Sequence, residues 1–482
     1  MLFILKRLRR ETSRKIMSTS HNTHQQTQFS KQTDLTEKLV GLHVSKYNKN
    51  RIFLVLLSIL SIIGLIGLIV KISTDGFDNP AKWGYYVTFV VFILTTVQAA
   101  PMVAIAPFIA KGHWNRSITK VAQLFAPLGL INLILFIPVL CVLPSLSDGR
   151  RTLWFFESLK MHSHMPHIIT LISFICLVLL GIALLWGSTV PDFAILRENS
   201  KNPYHKKLFS ILSNRWIGTS KQWFTQKHRI GILGAFYFMT LVILNFQISS
   251  DFAMSLIPGW IDSLYPVTHA ANSFQAGVAT VILAMFALRK WGGCKDFIEF
   301  DQFWALGKLM FALSLMWIWF FFSSFIIFWY GAKPTEKAII ELSMTGPYFV
   351  PFLGSAFLLF ILPLITMPFN KIRRSIWGPT IIAFFILIGS FLDRLRIYVP
   401  AYQLTEHPNK HNIYLADIPA TILPDIPDIM IIVGGISAII LAYTLLTKLI
   451  PVISIWQQKE LSLYKIHKKF HRTEVLVLGK PE

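Results

Sequence analysis

Ten runs of predominantly apolar residues follow one another along the chain, and short polar segments separate them. A helix rises about 1.5 Å per residue, so a run of about 20 residues crosses the hydrocarbon core of a bilayer. The predicted spans 1 to 10 cover 52–71, 84–110, 121–144, 167–190, 230–257, 266–288, 304–330, 347–368, 377–400 and 427–450. The pattern predicts an all-α polytopic membrane protein with about ten transmembrane helices.

The basic residues lie mostly between spans and fall unevenly on the two sides of the membrane. With the N-terminus inside, 36 of the 46 Lys and Arg residues occupy inner segments. Cytoplasmic segments of membrane proteins carry such an excess, so both termini are predicted to be cytoplasmic. The largest basic inner loop, 191–229, is either a phospholipid-facing surface or a docking surface for a cytoplasmic partner.

Composition supports the membrane interpretation and sets the domain limits. The 482 residues are 54% hydrophobic, and the net charge of +22 is explained by topology, so no nucleic-acid partner is expected. We predict a polar cytoplasmic N-terminal segment at 1–50, a membrane domain at 51–455 and a basic cytoplasmic tail at 456–482. Met1 and Met17 are both candidate starts.

Charged side chains are costly inside a membrane, so those within the spans suggest function. The six candidates singled out here all lie near the ends predicted to be outside, and they are Asp251, Asp393, Arg394, Arg396, His167 and His269. Two interpretations remain open. Asp251 and Arg394 form a salt bridge that joins two helix bundles, or they line a lipophilic site where the carboxylate takes a proton from a quinol.

The outer loop after span 5 reads "ISSDFAMSLIPGWIDSLYP" and contains no Lys or Arg. Its Pro-Gly pair ends the helix and lets the chain turn along the membrane surface. Trp260 is then predicted at the headgroup level, where indole rings concentrate. The loop is suited to cover a lipophilic opening.

No metal or haem site is predicted in this chain. The three cysteines are far apart, whereas an iron–sulfur cluster usually needs four thiolates. A haem held by two histidines would need His167 and His269 at one depth near the surface. The "HSHMPH" run, 162–167, is interpreted as a surface histidine cluster, because no carboxylate or thiol stands beside it.

Several stretches resemble a known family of membrane subunits. They are "DNPAKWGYYVTFVVFI", "GSTVPDFAILRENS", "GTSKQWFTQKHR", "SSDFAMSLIPGWIDSLYP" and "FLDRLRIYV". The chain resembles the NrfD-like family of polysulfide reductase membrane subunits over about 50–455. Within that family it is most similar to the ten-span quinol-site subunit of alternative complex III.

The resemblance implies two four-helix bundles plus two extra helices, without a redox cofactor of their own. It implies an anchor subunit of a respiratory oxidoreductase in the bacterial cytoplasmic membrane, where quinol is oxidised near the outer face. Electrons would pass to an extracytoplasmic iron–sulfur, molybdopterin-like subunit. Multihaem cytochrome c subunits and a second NrfD-like subunit are the other partners implied.

The family's quinol site is only half present. Asp251 and Arg394 match the expected carboxylate and arginine, but Cys141 and Thr170 stand where a histidine and an aspartate are expected. Neither can replace an imidazole or a carboxylate in proton transfer at neutral pH. His167, one turn before Thr170, is a candidate substitute. The alternative is a redox-inactive structural or proton-conducting paralogue.

Such conduction would use polar residues inside the spans. They are Gln98, Asn132, Gln275, Ser323 and Ser324. Residues of this kind more often form hydrogen bonds between helices. With the residues discussed above, the candidate quinone site comprises Asp251, Arg394, His167, Thr170, Cys141, Trp260 and His269.

Overall fold

The architecture comes from a computed structural model. It describes side chains and backbone for residues 32–43, 51–112, 114–144, 164–200, 203–406, 415 and 418–464, and backbone alone for 465–470 and 473–478. Statements below about absent contacts or sites refer to these residues.

Nine helices in this part of the chain are long and apolar enough to cross a membrane. They are Arg51–Asp75, Pro80–Ile109, Thr119–Val142, Met165–Asn199, Ser220–Leu256, Tyr265–Lys290, Phe300–Gly331, Phe349–Thr366 and Ile426–Leu449. They correspond to predicted spans 1 to 8 and span 10. Span 9 is the 27-residue helix Trp377–Gln403, which carries the three charged residues of "LDRLR". The polytopic membrane fold is therefore confirmed.

Four spans contain breaks in the regular α-helix. Span 2 joins Pro80–Trp83 (3-10), Gly84–Ile93, Leu94–Gln98 (π) and Met102–Ile109, and span 3 joins Thr119–Gln123, Ala126–Leu128 (3-10) and Gly129–Val142. Span 5 is Ser220–Asp251 followed by Met254–Leu256 (3-10), and span 8 is Phe349–Ala356, Phe357–Ile361 (π) and Leu362–Thr366. A π-turn leaves backbone carbonyls available to neighbouring helices.

Spans 4 and 5 are longer than predicted. The hydropathy pattern ends span 4 at 190, but the helix continues to Asn199, and span 5 begins at Ser220, ten residues before the apolar run. The Thr219 hydroxyl and Gln222 form a capping box that starts this polar first part of the helix. Polar helical ends are invisible to a search for apolar runs.

Short elements lie between and after the spans. They are 32–43, Pro203–Leu212, Pro334–Ile340, Glu341–Thr345 (π), Asn370–Arg373, Leu404–Glu406 (3-10), Ile455–Tyr464, and the strands Lys465–Phe470 and Thr473–Leu478. The two strands pair antiparallel, so the all-α description holds for the membrane domain and not for the end of the chain.

The spans form two four-helix bundles plus two extra helices, as the family resemblance implies. Spans 2 to 5 pack together, and spans 6 to 9 form the second group. The groups meet where spans 6 and 9 pack on span 2 and where span 6 packs on span 5. Two glycines allow close approach there: a Cβ on Gly277 would lie 2.7 Å from the Ala99 backbone, and one on Gly84 2.9 Å from Val399.

Spans 1 and 10 are the extra helices, and they pack against each other. A Cβ on Gly64 would lie 2.7 Å from Gly434, so the two backbones nearly touch. Lys71 of span 1 pairs with Asp428 of span 10 at 2.8 Å and with Asp75, one turn along its own helix, at 3.4 Å. Lys71 is fully buried, so these carboxylates offset the cost of its charge.

Both terminal segments contact the membrane domain. In the helix 32–43, which lies within the predicted polar cytoplasmic segment 1–50, Leu39 and His43 are buried. The helix Ile455–Tyr464 buries Trp456 and Leu461, within the region predicted as a basic tail. Glu460 of the same helix pairs with Arg116, which lies between spans 2 and 3, at 2.6 Å, and this pair anchors the helix to the first bundle.

Candidate functional site

Three charged side chains of span 9 form a buried ion-pair triad. Asp393 accepts from Arg394 Nη1 at 2.8 Å through Oδ2, and from Arg396 Nη2 at 2.7 Å through Oδ1. All three residues are nearly inaccessible to solvent. One carboxylate shared by two guanidiniums leaves one positive charge in excess. Buried charges in membrane proteins need compensating charges or dipoles, so this excess calls for a further partner.

Arg394 also reaches across to span 6. Its Nη2 donates to the backbone oxygen of His269 and to Asn272 Oδ1, both at 3.2 Å. The carboxylate that pairs with Arg394 is therefore its neighbour Asp393. A direct contact between Arg394 and Asp251 stays a prediction.

His269 lies between spans 5 and 9. Its Nδ1 is 3.1 Å from Asn245 Oδ1, and its Nε2 is 3.1 Å from the Tyr398 hydroxyl. Asn245 Nδ2 already donates to Leu241 O, so Asn245 Oδ1 accepts and His269 Nδ1 carries the proton. Nε2 is then the acceptor for Tyr398. We call Asp393, Arg394, Arg396, His269, Asn272, Asn245 and Tyr398 the Arg394 cluster.

The loop after span 5 covers this cluster with aromatic rings. Trp260 packs on Tyr265 with ring centroids 4.6 Å apart, and Tyr265 lies 6.1 Å from the His269 ring. Trp260 is buried, so its ring packs against the protein, and its place at the headgroup level stays a prediction. Gly259 has φ 75°, which allows the predicted turn, and Asp262 accepts from Leu264 N and from Ser324 Oγ, which tie the loop to span 7.

Asp251 ends the α-helical part of span 5 and is fully buried. Ser255 Oγ donates to its backbone oxygen at 2.9 Å, and the next 3-10 turn contacts span 9. Asp251 thus belongs to the same end of the bundle interface as the triad.

The candidates from spans 3 and 4 divide into two groups. Thr170 is buried, one turn before Phe174, whose ring packs on Phe136 at 5.4 Å. Phe136 in turn lies 5.3 Å from Phe252, next to Asp251, so the Thr170 face is directed toward span 5. Cys141 instead is exposed on the perimeter of span 3. It does not occupy the interior position that was expected of it.

His167 is half-buried, and its Nε2 lies 2.9 Å from the Leu143 oxygen at the end of span 3. The neighbouring His164 is 5.0 Å away between ring centroids. No three His, Cys, Asp or Glu side chains come together as metal ligands in the described ranges. His162, the first histidine of the predicted surface cluster, lies outside them.

A second buried polar cluster lies in the first bundle near Ile455–Tyr464, and sequence reasoning missed it. Lys120 Nζ donates to Ser188 Oγ and Thr189 Oγ1, both at 2.6 Å, and Ser188 Oγ donates to Gln123 at 2.6 Å. Asp192 accepts from the backbone of Ile455 at 2.8 Å and from Ser454 Oγ at 2.9 Å. We call Lys120, Gln123, Ser188, Thr189, Asp192 and Ser454 the Lys120 cluster.

Two of the polar residues considered for proton conduction bond between helices. Gln275 Nε2 donates to Ser314 Oγ at 2.8 Å and to Leu359 O, in a π-turn, at 2.9 Å. The Tyr237 hydroxyl donates to the backbone oxygen of Gln98, at the end of the π-turn in span 2, at 2.7 Å. These bonds favour the structural interpretation of both glutamines.

The profile of one protein family, described as "Polysulphide reductase, NrfD", matches residues 74–406. This range covers both four-helix bundles and leaves out nearly all of spans 1 and 10. No curated protein matches the chain significantly. The match extends over more than two thirds of the sequence, and the chain therefore belongs to the NrfD family of membrane subunits of oxidoreductase complexes.

Proposed function

We propose that this subunit binds quinol at the Arg394 cluster and delivers its electrons to an iron–sulfur partner on the extracytoplasmic side of a bacterial cytoplasmic membrane. The chain carries no haem or iron–sulfur cluster of its own in this proposal, and the quinone is its substrate. The site lies where spans 5, 6 and 9 meet, at the junction of the two bundles.

The observation that carries the proposal is a set of buried donors without acceptors. Trp260 Nε1, Asn272 Nδ2, Arg394 Nε and Ser250 Oγ have no hydrogen-bond partner in the described part of the chain. Buried polar groups in folded proteins are nearly always paired, so several unpaired donors in one region need an explanation. A quinone supplies two carbonyl oxygens, which are the acceptors that such donors lack.

The charges of the site suit the same ligand. The triad of Asp393 with Arg394 and Arg396 has one positive charge in excess. Asp251, buried at the same end of the interface, is the residue we assign to balance it. The Asp251 carboxylate accepts a proton from one quinol hydroxyl, and the excess positive charge favours the resulting electron-rich ring.

His269 and Tyr398 orient the other side of the ligand. Asn245 keeps the His269 proton on Nδ1, which leaves Nε2 to accept from Tyr398. The Tyr398 hydroxyl oxygen is then directed so that it can take the second quinol proton while its own proton passes to His269 Nε2, so each of the two quinol protons has an acceptor on this chain. Both electrons leave for the nearest cluster of the molybdopterin-like partner, and multihaem cytochrome c subunits and a second NrfD-like subunit complete the complex.

The test replaces Asp251 by Asn in the purified complex. Electron delivery from a short-chain quinol to the partner is expected to fall by at least about 100-fold, because a general base has been removed. Asp428→Asn is the matched control, since it removes a buried carboxylate from the pair with Lys71, away from the Arg394 cluster. Equal rates per assembled complex in wild type and Asp251→Asn would refute the proposal.

A structural or proton-conducting paralogue is the second candidate. Cys141 is exposed and Thr170 is uncharged, so neither expected acid–base group of spans 3 and 4 is present in this chain. This alternative predicts that Asp251→Asn leaves quinol oxidation by the complex unchanged. Proton uptake by vesicles that contain the complex then distinguishes a proton-conducting paralogue from a purely structural one.

A further inference from the structure

The chain between spans 4 and 5 returns to the membrane surface after leaving it. Span 4 continues to Asn199, but Trp186 Nε1, thirteen residues earlier, donates to Leu212 O at 3.3 Å. Thirteen helical residues correspond to about 20 Å, so the helix Pro203–Leu212 ends far back along span 4. Phe209 of this helix packs on Phe193, with ring centroids 5.9 Å apart.

A rigid turn follows the helix Pro203–Leu212. Asn214 and Arg215 have φ of 44° and 55°, in the left-handed region that non-glycine residues rarely adopt. Gln222 Oε1 accepts from the backbone N–H groups of Ile217, Gly218 and Thr219, at 3.1, 2.9 and 3.3 Å. Strained backbone that is held this firmly points to a functional surface.

The turn presents large apolar side chains that nothing in the described part of the chain covers. Ile217 is 82% exposed, Ile211 is 69% exposed and Phe224 is 66% exposed. Leu212, next to Ile211, contacts Trp186 of span 4, and Phe224 lies on the same helix as the exposed Ile232 and Phe236 of span 5. The apolar surface of the membrane region therefore continues onto this turn.

Two cations alternate with these apolar residues along the chain. Arg215 and Lys221 are exposed, and neither has a carboxylate within ion-pair distance among the described residues. The nearby Glu198 pairs with Arg197, and Glu460 pairs with Arg116 and Lys227. A pair of uncompensated cations beside exposed apolar groups is complementary to a phosphate above acyl chains.

We infer that residues 211–224 form a binding site for an anionic phospholipid. Arg215 and Lys221 bind the headgroup phosphate, and Ile211 and Ile217 enter the acyl region. The site is separate from the Arg394 cluster, so it does not depend on the quinol proposal. Of the two interpretations of the basic loop 191–229, the structure favours the lipid-facing one.

The test compares phosphatidylglycerol with phosphatidylcholine of the same acyl chains. Both lipids are added to the purified complex in detergent, and native mass spectrometry gives the ratio of bound anionic to neutral lipid. The R215Q/K221Q double variant is expected to lower that ratio about 30-fold, from the usual attraction of two cations to an anionic surface. The variant I217S is expected to reduce retention of both lipids and to leave the ratio unchanged.

Lys333→Gln with Lys337→Gln is the matched control, because it removes two exposed cations from the loop between spans 7 and 8. An unchanged ratio in R215Q/K221Q would overturn the inference. So would loss of a protein subunit from the double variant with lipid binding intact, since the surface would then be a protein docking site. If the double variant does not assemble, the single variant R215Q provides the test. It is expected to lower the ratio of bound anionic to neutral lipid about fivefold.

Discussion

The Arg394 cluster and the Lys120 cluster are both buried and charged, but they differ in how their hydrogen bonds are satisfied. In the Lys120 cluster, Lys120 donates to two hydroxyls, one of which donates to Gln123, and the Asp192 carboxylate accepts from Ser454 and from the backbone of Ile455. Around the Arg394 cluster, several buried donors have no protein acceptor. A closed network stabilises the fold, whereas an incomplete one is available to a ligand.

The largest effect that tests this contrast is expected at Lys120. Lys120→Met removes a buried cation together with its hydrogen bonds to Ser188 and Thr189, and should lower the free energy of unfolding by about 3 kcal/mol. Thermal unfolding of the purified complex in detergent measures the loss. Quinol oxidation per folded complex should not change, and a selective loss of turnover at wild-type stability would show that the Lys120 cluster acts in catalysis.

A smaller effect, on turnover, is expected at Tyr398. Tyr398→Phe keeps the ring but removes the hydroxyl between His269 Nε2 and the proposed ligand. Quinol-dependent electron delivery should fall about tenfold, because one oriented hydrogen bond in the reacting complex is lost. Tyr443→Phe is a control, since its hydroxyl bonds Val121 O away from the site. Equal losses in the two variants would indicate a general packing effect.

The smallest and most selective effect is expected at Trp260. Trp260→Phe removes an N–H group that has no acceptor in the described part of the chain, so protein stability should be retained. If the ligand uses this donor, KM for the quinol should rise about fivefold with kcat nearly unchanged. A KM equal to that of the wild type would show that Trp260 does not bind the quinol. It would also weaken the contrast between the hydrogen-bonded Lys120 cluster and the unpaired donors around the Arg394 cluster.

The sequence predicts the membrane fold well because apolar length is a direct physical requirement for crossing a bilayer. It also finds Arg394 and Asp251, since charges stand out in apolar runs. Asn245 and Tyr398 were missed because amide and tyrosine side chains are common in spans, and only packing shows which of them meet. Lys120 was missed because the predicted span 3 began one residue after it.

The position of Cys141 shows where alignment by sequence is insufficient. Phe136 of span 3 is buried, and five helical residues rotate the side chain by about 140°. Cys141 therefore turns to the perimeter even though it stands at the expected place in the sequence. The extent of a helix's buried face depends on its neighbours, which a single sequence does not reveal.

The pairing of Lys71 with Asp428 has a consequence for biogenesis. Span 1 is synthesised well before span 10, so until span 10 is made Lys71 has only Asp75, on its own helix, as a counter-charge. The Gly64–Gly434 contact must likewise wait until span 10 is inserted. Span 1 thus reaches its native environment long after it enters the bilayer, and a nascent chain that stops before span 10 leaves Lys71 without Asp428.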